Sequence, residues 1–216
     1  MKLVVVTGCL GFIGSHVVNK CLGQGWKVYG IDSATYASNP DLIDDFSYEY
    51  GDNFTYINED IADLKYLPDC DYVINTAAET HVGNSIIDSK DFLRSNIDGV
   101  QNLLDLIKAK PNNVVQRPIL FHFSTDEVYG DITDGEHIED DHLNPSNPYS
   151  ASKAAADMLV KAWARTYGIE YIILRPTNNY GSYQYPEKLI PLSVKLLQRD
   201  KKIKLHDEGL PIRNWL

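Results

Sequence analysis

The sequence lacks an apolar run long enough to cross a membrane, and its apolar start, residues 1–6, breaks at Thr7 and Gly8. A membrane-spanning helix needs about 20 apolar residues, and a secretory leader needs a longer apolar core and a cleavage site. Internal repeats and low-complexity linkers are also absent. We therefore expect a protein with no leader and no membrane partner.

Cysteine is scarce. Cys9, Cys21 and Cys70 are odd in number and form no Cys-x-x-Cys pair. This pattern argues against a disulfide framework and favours free thiols in a reducing compartment. We expect a cytoplasmic protein, and we predict no metal site.

Basic residues are few, since 20 Lys and Arg face 30 Asp and Glu and the formal net charge is -10. Such a charge repels the phosphates of nucleic acids and anionic membranes, so neither is an expected partner. A phosphate-bearing ligand must be held by backbone amides and a few placed cations. The 216 residues, 44% of them hydrophobic, suffice for a large domain with a sizeable core.

A glycine pattern lies between two predicted strands near the N-terminus. Residues 3–6 are a continuous apolar run, typical of a strand in a parallel sheet, and a helix pattern over 13–22 and a strand over 27–31 follow. Three glycines lie at the junction: Gly8, Gly11 and Gly14. Gly8 allows a tight turn, Gly11 lets a pyrophosphate approach the backbone, and Gly14 lets the helix pack closely against the strand. The unit predicts a dinucleotide site in a Rossmann-type, doubly wound parallel α/β sheet.

Asp32 ends the second predicted strand. A carboxylate there accepts hydrogen bonds from the adenosine ribose and repels a 2′-phosphate. No arginine precedes Arg94 to bind that phosphate, so the sequence favours NAD over NADP. The alternative is a plain turn residue.

The pattern predicts further strands over 54–57, 72–75, 119–123 and 171–174, helices over 64–67, 85–109, 150–167 and 192–198, and a strand-like segment over 201–206. Asp60 and Ile61 follow the third strand, where they would flank the adenine. Small residues that suit a closely passing cofactor follow the fourth strand: Thr76, Ala77 and Ala78. Ser95 and Asn96, inside the long helix, either serve a ligand or are ordinary surface positions.

The apolar strand over 119–123 stops at Ser124, Thr125, Asp126 and Glu127. Ligands of open α/β sheets bind outside the carboxyl ends of the strands, so these residues are candidates for a reaction centre. Taken alone, the pair of acids fits a solvated strand exit equally well.

Tyr149 and Lys153 lie four residues apart at the start of the predicted helix over 150–167, so they share a face. A fixed ammonium and a helix N-terminus both favour the phenolate. A phenolate can remove the proton of an alcohol whose hydride passes to a nicotinamide.

Together, the glycine loop, the Ser124-Thr125 pair and the Tyr149-x-x-x-Lys153 pair resemble the extended short-chain dehydrogenase/reductase superfamily. Narrower motifs look like those of the dTDP-glucose 4,6-dehydratases, and they cover residues 77–82, 124–130, 149–153, 178–181, 184–191 and 212–216. One departure is Gly83, where the family usually has Asp. Family members also continue well past the Arg-x-Trp-Leu motif that ends this chain.

The resemblance implies a hydro-lyase that converts dTDP-glucose to dTDP-4-keto-6-deoxyglucose with a tightly held NAD. Tyr149, supported by Lys153, would take the C4 hydroxyl proton, and Thr125 would hydrogen-bond that hydroxyl. Glu127 would remove the C5 proton, and Asp126 would protonate the departing C6 hydroxyl. In an extended backbone the two neighbouring acids would point to different atoms.

The resemblance also implies ligand contacts and a homodimer formed through the helices near Val100 and Met158. Besides the three glycines and Asp32, NAD would contact Phe12, Ile13, Ser33, Thr35, Asp60, Ile61, Thr76, Ala77, Ala78, Thr80, Ser95, Tyr149, Lys153 and Asn179. The nucleotide sugar would contact Thr80, Thr125, Asn178, Lys188, Leu189, Lys204 and Arg213.

We predict an NAD-binding domain over 1–176 and the beginning of a small C-terminal substrate lobe over 177–216. Because Trp215 and Leu216 end the chain without a terminating pattern, we expect this lobe to be incomplete. Alternative functions are a UDP-sugar 4,6-dehydratase, a 4-epimerase, or an inactive NAD-binding fragment. An epimerase needs the tyrosine and lysine but no pair of acids.

Overall fold

The computed structural model describes residues 1–110, 117–132, 134–210 and 212–216. Its centre is a six-stranded parallel sheet with the order β3-β2-β1-β4-β5-β6. The strands are β1 (Leu3–Thr7), β2 (Lys27–Asp32), β3 (Phe54–Asn58), β4 (Tyr72–Asn75), β5 (Ile119–Phe123) and β6 (Tyr171–Leu174). The predicted fold class and the six predicted strands are confirmed.

Helices cover both faces of the sheet. They are α1 (Phe12–Gly23), α2 (Asp41–Tyr50), α3 (Val82–Ile87), α4 (Lys90–Leu93), α5 (Gly99–Ala109), α6 (Pro148–Tyr167) and α7 (Leu189–Leu197). Val5 of β1 packs in the core with α5 and α6, whereas Val4 and Val6 pack in the core with α1 and α2. All three valines are fully buried, which explains why the strand is continuously apolar instead of alternating.

The strand order reverses between β1 and β4, because β1 pairs with β2 on one side and with β4 on the other. In doubly wound sheets, ligands bind at the carboxyl ends of the strands beside such a reversal. The glycine loop follows β1, and Thr76 follows β4. The fold therefore places the two predicted cofactor segments at the same crevice.

Residues 64–67 are irregular and not helical, contrary to the prediction. Leu64 and Leu67 are buried in the core, but side chains from α5 and its C-terminus bind their carbonyl groups. Asn102 Nδ2 donates to Leu64 O at 2.9 Å, and Lys110 Nζ donates to Leu67 O at 2.5 Å. Pro68 also disfavours helical backbone at the residue before it.

The helix predicted over 85–109 is instead α3, α4 and α5, with a π-helical turn at Arg94–Asp98. The chain is extended at Asp88 (φ -146°, ψ 120°), whose Oδ1 accepts from Lys90 N at 3.0 Å. This local hydrogen bond replaces a helical one and starts the next segment. Helix α2 was not predicted. It buries only Leu42 and Phe46, so its sequence carries too short an apolar pattern to indicate a helix.

The predicted strand-like segment is wrong, because residues 201–205 form no strand. Helix α7 begins at Leu189, three residues before the predicted start at 192, and Pro191 is compatible with a first helical turn. Residues 177–216 contact the sheet domain through Tyr36 Oη, which donates to Glu187 Oε2 at 3.3 Å. None of the helices in the described ranges has the length and apolarity that crossing a membrane requires.

Candidate active site

The glycine loop is closely packed against the segment after β4. Gly8 has φ +68°, and a Cβ there would lie 2.7 Å from Ala77 N. A Cβ on Gly14 would lie 2.0 Å from Gly8 O and 2.7 Å from Thr76 Oγ1. Both positions require glycine, so the predicted tight turn and close packing are confirmed.

Helix α1 starts directly after this loop, and its N-cap residue is Gly11, which has no side chain to bind the first N–H groups of the helix. The backbone N–H groups of Phe12, Ile13 and Gly14 in the first turn have no acceptor within the helix, and the helix dipole adds positive potential there. Phe12 and Ile13 also line a neighbouring apolar groove of about 610 Å³ together with Asn179.

The carboxylate of Asp32 is buried and fixed by three donors. Its Oδ2 accepts from Leu10 N at 3.0 Å, and its Oδ1 accepts from Ala34 N at 2.8 Å and from Ser38 Oγ at 3.0 Å. A carboxylate offers about four acceptor positions, so one remains for a ribose hydroxyl. Asp32 thus both shapes the loop and faces the site.

A cavity, here called the cofactor cavity, joins the loops after β1 to β4. Its lining includes eleven of the predicted NAD-contacting residues: Gly8, Gly11, Asp32, Ser33, Thr35, Asp60, Ile61, Thr76, Ala77, Ala78 and Ser95. The donor set fits a dinucleotide, with glycines and helix N–H groups at one end and carboxylates beside an apolar wall at the other. Residues absent from the prediction also line it: Ile31, Ala37, Ser38, Glu59 and Glu79.

Arg94 lies close to this cavity, which corrects the argument that no guanidinium is available there. Its Nε is 3.3 Å from Asp60 Oδ2, and its Nη2 is 2.5 Å from Asp63 Oδ2. Because two carboxylates neutralise this guanidinium, it is a poor receptor for a 2′-phosphate. The preference for NAD then depends on the carboxylate of Asp32.

The acids after β5 lie in a 3₁₀-helical turn, Asp126–Tyr129, here called the acid turn. Thr125 caps it, with Oγ1 accepting from Glu127 N at 3.2 Å and donating to Asp126 Oδ1 at 3.2 Å. The expectation of an extended backbone at the acids is therefore wrong. The two carboxylates diverge because successive residues of a 3₁₀ helix are about 120° apart around its axis.

The environments of the two acids differ. Burial raises the pKa of Asp126, opposed by the Thr125 hydrogen bond, by backbone N–H groups and by Arg213. Glu127 Oε2 accepts from Asn147 Nδ2 at 3.3 Å. Burial therefore raises the pKa of one acid, while the other acid accepts a hydrogen bond from an amide.

Tyr149 and Lys153 lie one turn apart on α6 and are buried, with 8% and 2% exposure. Burial and the Glu127 carboxylate raise the pKa of Tyr149, whereas a hydrogen bond with the Thr125 side chain lowers it. Burial lowers the pKa of Lys153 to about 8, and Asp157 opposes that effect. Burial of the phenol therefore opposes formation of the phenolate, and the expected help from Lys153 stays a prediction.

The predicted substrate residues are only partly gathered. Lys188 Nζ donates to Thr80 O at 2.9 Å, and burial lowers the pKa of this lysine. Asn178 Nδ2 donates to Asn214 O at 3.1 Å, next to Arg213, which acts on Asp126. By contrast, Leu189 is 51% exposed, and Lys204 is exposed in the irregular segment over 201–205.

Asn96, in the π-helical turn, is the second of the two polar residues noted inside the predicted long helix, and it holds the segment after β4. It is fully buried, and its amide accepts from Glu79 N at 3.0 Å and donates to Glu79 O at 3.0 Å. Its Nδ2 also lies 2.8 Å from Ser152 Oγ on α6. A polar residue inside an otherwise apolar helical pattern was the available sign.

In the part of the chain that the structure describes, no cluster of His, Cys, Asp and Glu side chains could hold a metal ion.

Residues 4–216 match the NAD dependent epimerase/dehydratase family. The chain is 39% identical over 220 residues to a curated dTDP-glucose 4,6-dehydratase of Streptomyces griseus, covering 99% of this chain and 65% of that protein. It thus spans about 65% of the length of that relative.

Solved structures give the same picture. DesIV, a dTDP-glucose 4,6-dehydratase from Streptomyces venezuelae crystallised with NAD, has a TM-score of 0.91 and 37% identity, over 99% of this chain and 67% of that one. UDP-glucuronic acid 4-epimerase from Bacillus cereus, in complex with UDP-glucuronic acid and NAD, has a TM-score of 0.89 and 29% identity, over 99% and 68% of the two chains. The sheet order, the glycine loop, the Tyr149–Lys153 pair and these matches lead to one conclusion: the chain belongs to the NAD dependent epimerase/dehydratase family.

Proposed function

We propose that the chain carries the cofactor site and the proton-transferring residues of an NAD-dependent dTDP-glucose 4,6-dehydratase, a hydro-lyase. The observation that carries the proposal is the acid turn, whose Val128 and Tyr129 pack against Ala154 of α6 and whose Glu127 accepts a hydrogen bond from Asn147, the N-cap residue of that helix. An epimerase has no use for two further carboxyl groups beside its tyrosine. The names of the relatives support the same substrate.

The cofactor cavity is the proposed NAD site. Bound NAD would supply the hydride acceptor for the oxidation and the hydride donor for the later reduction. The first-turn N–H groups of α1 would hold its pyrophosphate, and Asp32 would accept from a ribose hydroxyl. Thr125 hydrogen-bonds the C4 hydroxyl of the sugar, and the oxygen of Tyr149 receives its proton. Lys153, buried behind Tyr149, supplies positive charge that stabilises the phenolate when it forms.

The two acids take the remaining proton transfers. Oxidation at C4 acidifies the C5–H bond, and Glu127 takes that proton. Asp126, which burial keeps closer to its protonated form, donates a proton to the C6 hydroxyl as water leaves. Different environments of two neighbouring carboxyls allow one to act as the base and the other as the acid. The steps balance when the hydride taken from C4 is added at C6, Glu127 returns its proton to C5, and the proton that Tyr149 received restores the one that Asp126 gave to the departing water.

Cations near the acid turn are the proposed diphosphate and sugar contacts. Lys188 is the N-cap residue of α7 and lies over Thr80, and Arg213 acts on Asp126. Asn178 forms an isolated β-bridge with Trp215, two residues after Arg213. Thr80, Leu189 and Lys204 complete the proposed set, and Asn179 is proposed to lie beside the nicotinamide. We also propose the division at residue 176 into an NAD-binding domain and a substrate lobe.

A homodimer acting in the cytoplasm fits the remaining features. Met158 on α6 is 47% exposed and Leu93 beside α5 is 47% exposed, so the outer faces of these helices offer apolar contact area. Cys9, Cys21 and Cys70 are all free and buried. Free thiols are typical of a reducing compartment.

The test compares the chain with three variants: Tyr149→Phe, Glu127→Gln and Asp126→Asn. NAD binding is measured by titration calorimetry, and reduced nicotinamide is followed by its absorbance after addition of dTDP-glucose. We expect the chain to bind NAD and to form the 4-keto product slowly, since Leu189 and Lys204 are exposed. Glu127→Gln and Asp126→Asn should retain NAD reduction and lose dehydration, whereas Tyr149→Phe should lose both.

Other outcomes separate the alternatives. Unchanged turnover in both acid variants, with a UDP-sugar as the preferred substrate, would identify an epimerase-type reaction. NAD binding without any reduction by either sugar nucleotide would leave a cofactor-binding chain with no dehydratase activity of its own, and the proposal would be rejected.

A further inference from the structure

A row of buried polar side chains lies behind the candidate active site. Thr7, Asn75 and His122 are neighbours across β1, β4 and β5, and each is fully buried. Thr7 Oγ1 donates to Asn75 Oδ1 at 2.5 Å, and Asn75 Nδ2 lies 3.1 Å from His122 Nδ1. Because Nδ1 accepts this hydrogen bond, the neutral imidazole carries its proton on Nε2.

The row ends at Asp157 on α6, which is also fully buried. His122 Nε2 is 3.8 Å from Asp157 Oδ1, and within the described residues neither atom has a hydrogen-bond partner. Asp157 Oδ2 accepts from Arg175 Nε at 2.9 Å. Arg175 also donates to the hydroxyl of Tyr129 in the acid turn. One carboxylate therefore connects the sheet interior to the turn that carries the acids.

Asp157 follows Lys153 by one helical turn, and Lys153 follows Tyr149 by one turn, so the three side chains share a face of α6. Lys153 Nζ donates to Phe123 O at 2.6 Å, but a carbonyl does not neutralise a buried ammonium. A buried charge needs an opposite charge and satisfied hydrogen bonds. The carboxylate that acts on Lys153 is Asp157.

Other ionisable groups around Lys153 do not replace Asp157. Burial and the Lys153 charge hold the pKa of His122 well below its usual range, so the imidazole adds no positive charge. Arg175 is a second cation that shares the carboxylate. The carboxylates of the acid turn act on Tyr149, which lies two helical turns before Asp157 on α6.

We propose that Asp157 is a positioning residue of this site: oriented by Arg175 and His122, it supplies the counter-charge that keeps Lys153 an ammonium and anchors the acid turn through Arg175. This inference rests on the proposed function only for the role of Lys153 beside Tyr149. The charge relation between Asp157 and Lys153 concerns the folded chain and needs no substrate.

The test is the titration of Lys153, followed by NMR in the 216-residue chain labelled with [ε-¹³C]lysine, with the signal assigned from Lys153→Met. In Asp157→Asn, which keeps the shape of the side chain, we expect the Lys153 midpoint to fall by about 1–3 units. In Asp157→Glu, which keeps the charge, we expect a smaller change. Asp105→Asn is the control, because Asp105 also binds α6, through Trp163 Nε1 at 3.0 Å, and this variant should leave Lys153 unchanged.

An unchanged Lys153 midpoint in Asp157→Asn, together with a lower melting temperature, would show a purely structural role and overturn the proposal. If Asp157→Asn does not fold, Asp157→Ser is measured instead, since it leaves room for water beside Arg175. If neither neutral variant folds, Asp157 is a determinant of folding and the proposal is rejected. NAD titration of the wild-type chain is reported separately, so failure of the proposed cofactor site is distinguishable from failure of this inference.

Discussion

Asn147 Nδ2 donates to Glu127 Oε2 at 3.3 Å, while Asn147 Oδ1 accepts from Ser150 N at 2.9 Å. The residue that caps α6 therefore also binds the proposed C5 base. The cap is a full capping box, because Ser150 Oγ accepts from Asn147 N at 3.2 Å. Tyr149 lies in the first turn of this helix, so one asparagine fixes the base and the tyrosine relative to each other.

Asn147→Asp separates the two roles of this residue. Asp caps helices as well as Asn does, so the melting temperature should stay close to that of the wild type. The donor to Glu127 is replaced by a second carboxylate, and dehydration should fall by about 10- to 100-fold, since a hydrogen bond to a charged group contributes about 1.5–3 kcal/mol. Asn147→Ala should lose activity and also about 0.5–2 kcal/mol of stability. Equal activity in wild type and Asn147→Asp would contradict the assigned contact.

Gly14→Ala should damage the cofactor site. The added Cβ would lie 2.0 Å from Gly8 O, so loop and helix must separate, and overpacking of this kind costs about 1–3 kcal/mol. We expect a lower melting temperature and NAD binding at least about tenfold weaker, a loss of about 1.4 kcal/mol. Thermal unfolding and calorimetric titration measure the two effects.

Gly23→Ala is the matched control on the same helix. A Cβ at Gly23 meets nothing within 4 Å, and alanine is favoured over glycine in helices by up to about 1 kcal/mol. Stability should therefore rise or stay constant, with NAD binding unchanged. Similar losses in both variants would mean that the close approach at Gly14 does not matter.

Asp32→Asn should weaken discrimination between NAD and NADP. The amide offers one acceptor oxygen in place of two and no longer repels a 2′-phosphate. We expect the ratio of the two dissociation constants to change by about tenfold or more, which corresponds to about 1.4 kcal/mol. Asp45→Asn, an exposed carboxylate on α2, should leave the ratio unchanged. A stable ratio in Asp32→Asn would assign Asp32 to loop structure only.

The three thiols should be inert in the folded chain. Burial raises the pKa of Cys9 and Cys21 and raises the pKa of Cys70 to about 12. Since the thiolate is the reactive form, Ellman's reagent at mildly alkaline pH should label none of them until denaturant is added. Rapid labelling of the native chain would contradict their burial.

The same thiols give stability a defined dependence on pH. Unfolded cysteines ionise near pH ~8.5, whereas the folded thiols stay protonated, so the folded state binds more protons and stability falls as pH rises above that value. Lys153 acts in the opposite direction, because burial lowers its pKa in the folded chain to about 8, below the ordinary value of 10.5. Melting curves from pH 8 to 10 should therefore show a steeper loss of stability in Lys153→Met than in the wild type.

Much of the cofactor site follows from the sequence, because its requirements are local. A positive φ at Gly8 and a missing Cβ at Gly14 leave only glycine possible, and such positions are visible as a spaced pattern. Asp32 is readable for the same reason, since it ends a strand that faces the loop. The irregular segment over 64–67 was not readable, because side chains from distant α5 bind its carbonyl groups.

The contacts and the burial that set the pKa values of the site could not be predicted from the sequence. His122 and Asp157 are separated in the chain, and each looks ordinary alone, one in an apolar strand and the other on a helix. Only the fold places His122 Nε2 and Asp157 Oδ1 3.8 Å apart. Likewise, the spacing of Tyr149 and Lys153 predicted their shared helix face, but not that burial would raise the pKa of the phenol.

Helix α6 fixes the distances between four residues of the site. Asn147 caps it, and Tyr149, Lys153 and Asp157 follow at intervals set by the helical backbone. One residue inserted between these positions would rotate all later side chains by about 100° around the helix axis, so they would no longer lie on the buried face. A change of length between Tyr149 and Asp157 would therefore disrupt the site, whereas the geometry of this face tolerates substitutions that keep the helix intact.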